Sequence, residues 1–265
     1  MTAPIVRSLS ELRAQTTIWR KAGERIGVVP TMGALHQGHL SLARAARVKC
    51  DRVIVTIFVN PKQFNDPKDL ENYPRTEHED ASKLSPIGVD LIYVPAPDQI
   101  YPDGFATTVS VSGLTDMLCG ESRPGHFDGV ATVVSKLFLQ TGADFAFFGE
   151  KDYQQLQIVR RMAADLNIPI DVIGCPTVRE EDGLAMSSRN LLLSDRSRIK
   201  APVLAQVMED MRAALTNGAK MSEIGPEAEA RLLAAGFHKI DYLELRDGDG
   251  LALLDTAKPG ARLFA

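Results

Sequence analysis

Short runs of β-forming residues alternate with amphipathic helical segments along most of this chain. Two such runs, at residues 25–30 and 52–59, flank a segment at residues 39–49. Within that segment leucines and alanines recur at the spacing of a helix that buries one face. The three segments together predict a βαβ unit, which is the building block of parallel sheets.

The same alternation continues beyond this unit. Three further strands are predicted at residues 90–94, 144–148 and 170–172. Helical segments separate them at residues 77–84, 129–139 and 153–166. We therefore predict an α/β fold with a doubly wound, Rossmann-like parallel sheet.

The pattern changes after Asn190. Residues 195–215 predict one long helix, residues 226–235 a second helix and residues 240–245 a strand. This segment predicts a smaller C-terminal α+β domain. We place the boundary between residues 186 and 187, so that residues 1–186 form the larger domain and residues 187–265 the smaller one.

Composition excludes several classes of protein. The chain has 30 basic and 34 acidic residues, so its formal net charge of -4 gives no overall attraction to nucleic acids. Three widely spaced cysteines without a CxxC pair indicate neither a disulfide framework nor a zinc ribbon. The first residues lack an apolar export segment, and the apolar run at 53–59 is too short to span a bilayer. We expect a cytoplasmic protein that binds neither nucleic acid nor membrane.

The turn after the first long strand has the residues of an anion site. It reads PTMGALHQGH over residues 30–39 and opens the following helix, where amide groups and the helix dipole favour negative charge. Gly33 and Gly38 would let the backbone approach a ligand closely. His36 and His39 are three residues apart, so both rings can point to one side of the helix start.

Other interpretations of the two histidines remain open. A single histidine at a helix start is at least as often a cap or a packing residue as a functional one. A zinc site would need a third ligand, and His78, His126 and His238 show no recognisable spacing to the pair. The GxGxxG fingerprint is absent from the turn, which argues against a dinucleotide-dependent dehydrogenase.

The HxGH string resembles the signature of the nucleotidyltransferase superfamily, and the longer string PTMGALHQGHLSL is similar to the first motif of the pantothenate synthetase family. Further matches to that family follow in its order along about residues 28 to 193. They are IFVNPKQF at 57–64, YPRT at 73–76, RPGHFDGVATVVSKLF at 123–138, FGEKDYQQL at 148–156 and MSSRN at 186–190.

This resemblance implies an ATP-dependent ligase that joins pantoate to β-alanine through a pantoyl adenylate and releases AMP and pyrophosphate. ATP would be a substrate used with Mg²⁺, and the protein would be a homodimer. The larger domain would bind ATP and pantoate, and the smaller one would act as a lid.

The resemblance also implies the residues of the site. The catalytic residues would be His36, His39, Lys151 and Arg189, with His39 as proton donor or electrostatic catalyst. Gln63 and Gln155 would bind pantoate, and Asp80 would bind the metal ion. The ATP site would comprise Met32, Gly33, Ala34, Leu35, His36, Gln37, Gly38, His39, Gly149, Glu150, Lys151, Asp152, Val178, Met186, Ser187, Ser188 and Arg189.

Within this set, single roles follow from the same resemblance. Lys151 would meet the phosphates and Asp152 the ribose, and the backbone of Val178 would contact the adenine. The segment from Met186 to Arg189 would be a mobile phosphate clamp of the KMSKS type, with arginine in place of the usual lysine.

Three other functions compete with this interpretation. A different adenylyltransferase with the HxGH signature would share the fold but join two phosphates. A class I tRNA synthetase is disfavoured by the acidic balance and by the lack of an anticodon-binding extension. A nucleotide-binding regulator would keep the phosphate turn but would need neither His39 nor the two glutamines.

Overall fold

The computed structural model describes residues 3–265 and shows two compact units, one that ends at Val178 and one that runs from Arg179 to Ala265. The boundary expected from sequence, between residues 186 and 187, therefore lies inside the second unit.

The first unit contains a six-stranded sheet in which every neighbouring pair is parallel. The strand order is β1-β4-β3-β2-β5-β6. The predicted α/β fold with a doubly wound parallel sheet is confirmed. The strands are β1 (Ile5–Val6), β2 (Ile26–Thr31), β3 (Arg52–Ile57), β4 (Leu91–Tyr93), β5 (Phe145–Gly149) and β6 (Asp171–Cys175).

Helices cover both faces of this sheet. They are α1 (Leu9–Lys21), α2 (Gln37–Lys49), α3 (Pro67–Asn72), α4 (Glu77–Leu84), α5 (Pro97–Ile100), α6 (Cys119–Ser122), α7 (His126–Thr141) and α8 (Tyr153–Asp165). Side chains of α1, α7 and α8 form one buried cluster, and those of α2 and α4 form another. Strand β2 serves both, because Val28 packs in the first cluster and its neighbour Val29 in the second.

The sheet reverses its winding beside β2. From β2 the chain runs through β3 to β4 on one side, and it then returns to add β5 and β6 on the other side. In such sheets ligands bind outside the carboxyl ends of the strands at this switch point. The fold therefore places the loops that follow β2 and β5 at the edge where a site is expected.

The second unit combines three helices with a small antiparallel sheet of order β8-β7-β9. The helices are α9 (Asp195–Lys200), α10 (Val203–Thr216) and α11 (Met221–Ala235), and the strands are β7 (Glu244–Arg246), β8 (Leu253–Leu254) and β9 (Arg262–Phe264). Its α+β character is as predicted. The single long helix predicted at residues 195–215 is wrong: Pro202 stands between α9 and α10, and it has no amide hydrogen with which to continue the hydrogen bonds of the first helix.

Between residues 3 and 265, no helix has both the length and the apolar composition needed to cross a membrane.

The buried face of β3 provides a test of the sheet. Ile54 is completely buried, so Ile54→Ala should lower the free energy of unfolding by about 2–5 kcal/mol. Val48 on α2 is 91% exposed, and Val48→Ala should change stability by about 0.5 kcal/mol or less. Urea unfolding of both variants measures the difference, and equal effects would contradict this packing.

Candidate active site

Three loops bring several of the predicted site residues to the carboxyl edge of the sheet. The turn with His36 follows β2, a short 3₁₀ turn at Pro61–Gln63 follows β3, and another at Glu150–Asp152 follows β5. Because these strands are parallel neighbours, their loops share one edge. The side chain of Gln63 touches the first loop, since its Nε2 lies 3.1 Å from Sδ of Met32.

The amides of the first turn are paired within the protein. Gly33 N–H donates to Thr31 Oγ1 at 3.2 Å. Ala34 N–H and Leu35 N–H donate to the two carboxylate oxygens of Asp80, at 2.9 and 2.7 Å. These three amides therefore already have partners, so an anion at this turn would meet side chains more than backbone.

His36 and His39 are joined by backbone hydrogen bonds at the start of α2. His36 caps the helix, with Nδ1 accepting from Gly38 N–H at 3.1 Å. His36 N–H points to Nδ1 of His39 at 3.4 Å, and the two ring centroids are 4.1 Å apart. Because each Nδ1 accepts, these bonds assign the proton of each neutral ring to Nε2. The capping interpretation of His36 is thus correct, and it leaves Nε2–H as a donor.

Both histidines are held in the neutral form. Burial, with help from the nearby cations Lys151 and Lys83, lowers the pKa of His36 below its ordinary value. The pKa of His39 is lowered to about 3, mainly by burial and secondly by the neighbouring His36. Near pH 7 the pair offers two N–H donors without positive charge.

Lys151 supplies the positive charge that the histidines lack. It lies in the turn after β5, and its Nζ is 3.2 Å from the carboxylate of Asp152. Both side chains are exposed, at 38% and 62%. An exposed ion pair is weak, so the ammonium can exchange this carboxylate for a phosphate at low cost. Gly149 and Glu150 belong to the same strand end and turn.

A buried asparagine holds the side chain of Gln63. Asn60 is 1% exposed, and its Nδ2 donates to Gln63 Oε1 and to Gly129 O, both at 3.0 Å. Its Oδ1 accepts from the hydroxyl of Tyr101 at 2.8 Å. Sequence reasoning missed Asn60, although it lies inside the IFVNPKQF motif and three residues before Gln63.

Arg123 and His126 hold the backbone of the same residue. Arg123 donates to Gln63 O at 3.3 Å, and Nδ1 of His126 lies 2.8 Å from that oxygen. These bonds favour a role in placing Gln63. The side-chain amide of Gln155, in the first turn of α8, makes no hydrogen bond to the described residues. Its amide is therefore available to a ligand.

The predicted phosphate clamp lies in the second unit. Ser187 caps a 3₁₀ turn at Ser188–Leu192, with its Oγ accepting from Arg189 N–H at 3.2 Å. Ser188 is buried, whereas Arg189 is exposed. Val178 is the last residue of the first unit. The proposed contacts of Val178 and of Met186 to Arg189 with ATP stay predictions.

Asp80 does not fit the predicted role of a metal ligand well. Its side chain is completely buried, and Thr76 Oγ1 donates to it at 3.3 Å in addition to the two amides. In the described part of the chain, no group of three His, Cys, Asp or Glu residues could hold a metal ion. The geometry favours a structural role for Asp80, and its metal role stays a prediction.

The sequence model of the Pantoate-beta-alanine ligase family matches residues 4–265. The chain belongs to this family. It is 63% identical over 265 residues to the pantothenate synthetase of Roseobacter denitrificans and 65% identical over 264 residues to that of Ruegeria pomeroyi. Each alignment covers 100% of this chain and 93% of the relative.

Solved structures of the family have the same fold. The pantothenate synthetase of Thermus thermophilus superposes with a TM-score of 0.92 at 46% identity, covering 98% of this chain and 92% of that one. The pantoate-beta-alanine ligase of Francisella tularensis, in complex with Beta-gamma ATP and β-alanine, has a TM-score of 0.80 at 35% identity. That alignment covers 91% of this chain and 89% of the other.

The partly buried, neutral His39 should make the protein less stable in acid. Its pKa falls from 6.5 to about 3 on folding, so below pH 6.5 the unfolded chain takes up a proton that the folded chain refuses. This contribution is present above pH 6.5 and is lost as the pH falls toward 3. His39→Asn, which keeps an acceptor near Nδ1, should therefore lose less stability between about pH 7.5 and about pH 5. Urea unfolding at both values measures this, with the exposed His78→Asn as control; identical losses in wild type and His39→Asn would contradict it.

Proposed function

We propose that this chain joins pantoate to β-alanine at the expense of ATP, through a pantoyl adenylate, releasing AMP and pyrophosphate. One observation carries the proposal: His36 and His39 present neutral Nε2–H donors at the switch point of the sheet, in a chain of the pantoate-beta-alanine ligase family. The Francisella ligase in complex with Beta-gamma ATP and β-alanine supports the choice of two substrates.

In the first step, a carboxylate oxygen of pantoate attacks the α-phosphorus of ATP. The new bond is an acyl phosphate, and the bond to the bridging oxygen of pyrophosphate breaks. Negative charge grows on the phosphoryl oxygens and on the leaving pyrophosphate, so hydrogen-bond donors and cations accelerate the step. Nε2–H of His36 and of His39 and the ammonium of Lys151 are the groups placed for this.

Neutral histidines suit this step. Pantoate reacts as a carboxylate, so no proton has to be removed and no general base is needed. A donor that is neutral beforehand stabilises growing charge without binding the ground-state triphosphate as strongly as a cation would. Lys151 supplies the charge, and the histidines supply directed hydrogen bonds.

In the second step, the neutral amine of β-alanine attacks the carbonyl carbon of the mixed anhydride. The amide bond forms, AMP leaves with the electrons of the broken C–O bond, and the proton that the amine loses passes to water. No acyl enzyme is needed, and the buried cysteines are unsuited to form one. Burial raises the pKa of Cys50 to about 11 and also raises the pKa of Cys175.

Pantoate would lie between the two glutamines. Asn60 fixes the carboxamide of Gln63, while the carboxamide of Gln155 is unpaired within the described residues. Carboxamides can both donate to and accept from the two hydroxyls of pantoate. Met32, in contact with Gln63, would meet its methyl groups.

The remaining parts of the proposal rest on the family resemblance. ATP would enter as its Mg²⁺ complex, with the ion bound mainly by phosphate oxygens. Asp152 would contact the ribose, Val178 the adenine, and the segment from Met186 to Arg189 the phosphates. The protein would be a cytoplasmic homodimer.

Pyrophosphate release tests this function directly. Protein mixed with Mg-ATP and pantoate, without β-alanine, should release about one pyrophosphate per active site and hold pantoyl adenylate, detected by mass spectrometry after quenching. Added β-alanine should consume the adenylate. Pyrophosphate release independent of pantoate would point to another adenylyltransferase, and pantoylated protein without free adenylate would overturn the mechanism.

A substitution at Gly129 of α7 tests the assignment of Gln63 to the pantoate pocket. A Cβ there would clash with Lys62 O and lie 2.9 Å from Gln63 N, so Gly129→Ala must displace the turn that carries Gln63. We expect the KM for pantoate to rise roughly tenfold or more, with the KM for ATP changing much less. Gly250→Ala, where a Cβ meets nothing within 4 Å, is the matched control. Equal effects on both substrates would argue against the assignment of Gln63.

A further inference from the structure

Two side chains of helix α4, about one helical turn apart, form hydrogen bonds with the turn that precedes His36. Asp80 accepts from the amides of Ala34 and Leu35 at 2.9 and 2.7 Å. Lys83 Nζ donates to the carbonyl of Leu35 at 2.8 Å. Together they hold the peptide groups on both sides of Leu35, which directly precedes His36.

The turn needs such support because its backbone is in an unfavourable conformation. Gly33 has φ of +83° and Ala34 has φ of +50°. Glycine adopts positive φ freely, but alanine does so only where the surroundings enforce it. The amide of Ala34 is one of the two that Asp80 binds, so the contact acts at the strained residue itself.

The surroundings of Asp80 favour this contact. Its carboxylate is completely buried, and no ion pair joins it within the described residues. Two amides and the hydroxyl of Thr76 are the groups that compensate its burial. A buried carboxylate loses much if such donors move, so the bonds hold the turn in one position.

These hydrogen bonds also restrain the histidines, through the peptide group that joins Leu35 to His36. The chain passes from the held Leu35 to His36, whose N–H points to Nδ1 of His39 and whose Nδ1 accepts from Gly38 N–H. These two bonds set which ring nitrogen carries the proton. A displaced Leu35 would shift His36 N–H and weaken the bond that fixes the tautomer of His39.

We propose that Asp80 and Lys83 are positioning residues for adenylate formation, which hold the turn so that His36 and His39 present Nε2–H to the triphosphate. The proposal rests on the proposed function for its kinetic consequences. It differs from the predicted metal role of Asp80, because a metal ligand would act on the Mg²⁺ requirement, and Lys83 would then have no part.

The test uses Asp80→Asn, which keeps the shape but turns one acceptor into a donor, and Lys83→Met, which keeps the length but removes the donor. The controls are the exposed Asp98→Asn on α5 and Lys21→Met on α1. Pantoate-dependent pyrophosphate release should fall roughly 100-fold in kcat for Asp80→Asn and roughly tenfold for Lys83→Met. Lys83→Arg should restore most of the activity, and both controls should match the wild type.

Two further measurements distinguish a positioning role from metal binding and from a purely structural role. The half-saturating Mg²⁺ concentration should stay within about twofold of wild type, whereas loss of a metal ligand would raise it about tenfold or more. Long-range ¹H–¹⁵N correlation spectra of the histidine side chains, recorded without substrates, should show Nε2–H for both rings in the wild type and mixed tautomers in Asp80→Asn. A raised Mg²⁺ requirement, or wild-type tautomers in an inactive variant, overturns the proposal.

The experiment still tests the proposal if one variant does not fold or if the wild type shows no pantoate-dependent activity. If Asp80→Asn does not fold, Lys83→Met and its arginine rescue carry the same comparison of kcat, Mg²⁺ requirement and tautomer. If the wild type releases no pantoate-dependent pyrophosphate, the proposed function fails. The tautomer spectra still decide whether α4 positions the histidines, because they need no substrate.

Discussion

The parallel pairing of β2 with β3 on one side and with β5 on the other is the constraint on which the site depends. It places three loops at one edge of the sheet, and each brings a different chemical group: two imidazoles, a carboxamide and an ammonium. None of these loops could hold its group alone, because each is short and partly exposed. The alternating packing of Val28 and Val29 into opposite clusters fixes the register of β2, and with it the place where the turn begins.

The two imidazoles and Lys151, at the same edge of the sheet, differ in charge. Burial keeps both imidazoles neutral, and the exposed Lys151 already has a carboxylate beside it. The two neutral imidazoles therefore add no positive charge to this edge before a substrate arrives. Selectivity then comes from directed donors whose positions are set by backbone bonds, and their geometry matters more than their number.

The sequence predicted the parallel sheet because apolar runs and helical spacing are local signals. It also placed His36, Gln63 and Lys151 in loops after strands, and the structure brings these loops together. It could not predict that Asp80 lies beneath the turn, because the hydrogen bond from Ala34 joins residues 46 positions apart. Asn60 was missed for a related reason: its function depends on Gly129 and Tyr101, which lie on other elements. The break at Pro202 was different, since a proline inside a helical pattern is a local signal that sequence reasoning passed over.

The reciprocal bonds of His36 and His39 limit which residues could ever replace them. Each ring uses Nδ1 to accept from a backbone amide, which leaves Nε2–H as its donor. Asparagine can replace Nδ1 as an acceptor, and glutamine can replace Nε2–H as a donor. Neither side chain provides both groups at once. A flipped ring would surrender its backbone partner, so the rotation that surface histidines undergo freely is closed to this pair. Each imidazole is thus tied to the backbone at one nitrogen, and only its other nitrogen can donate to a ligand.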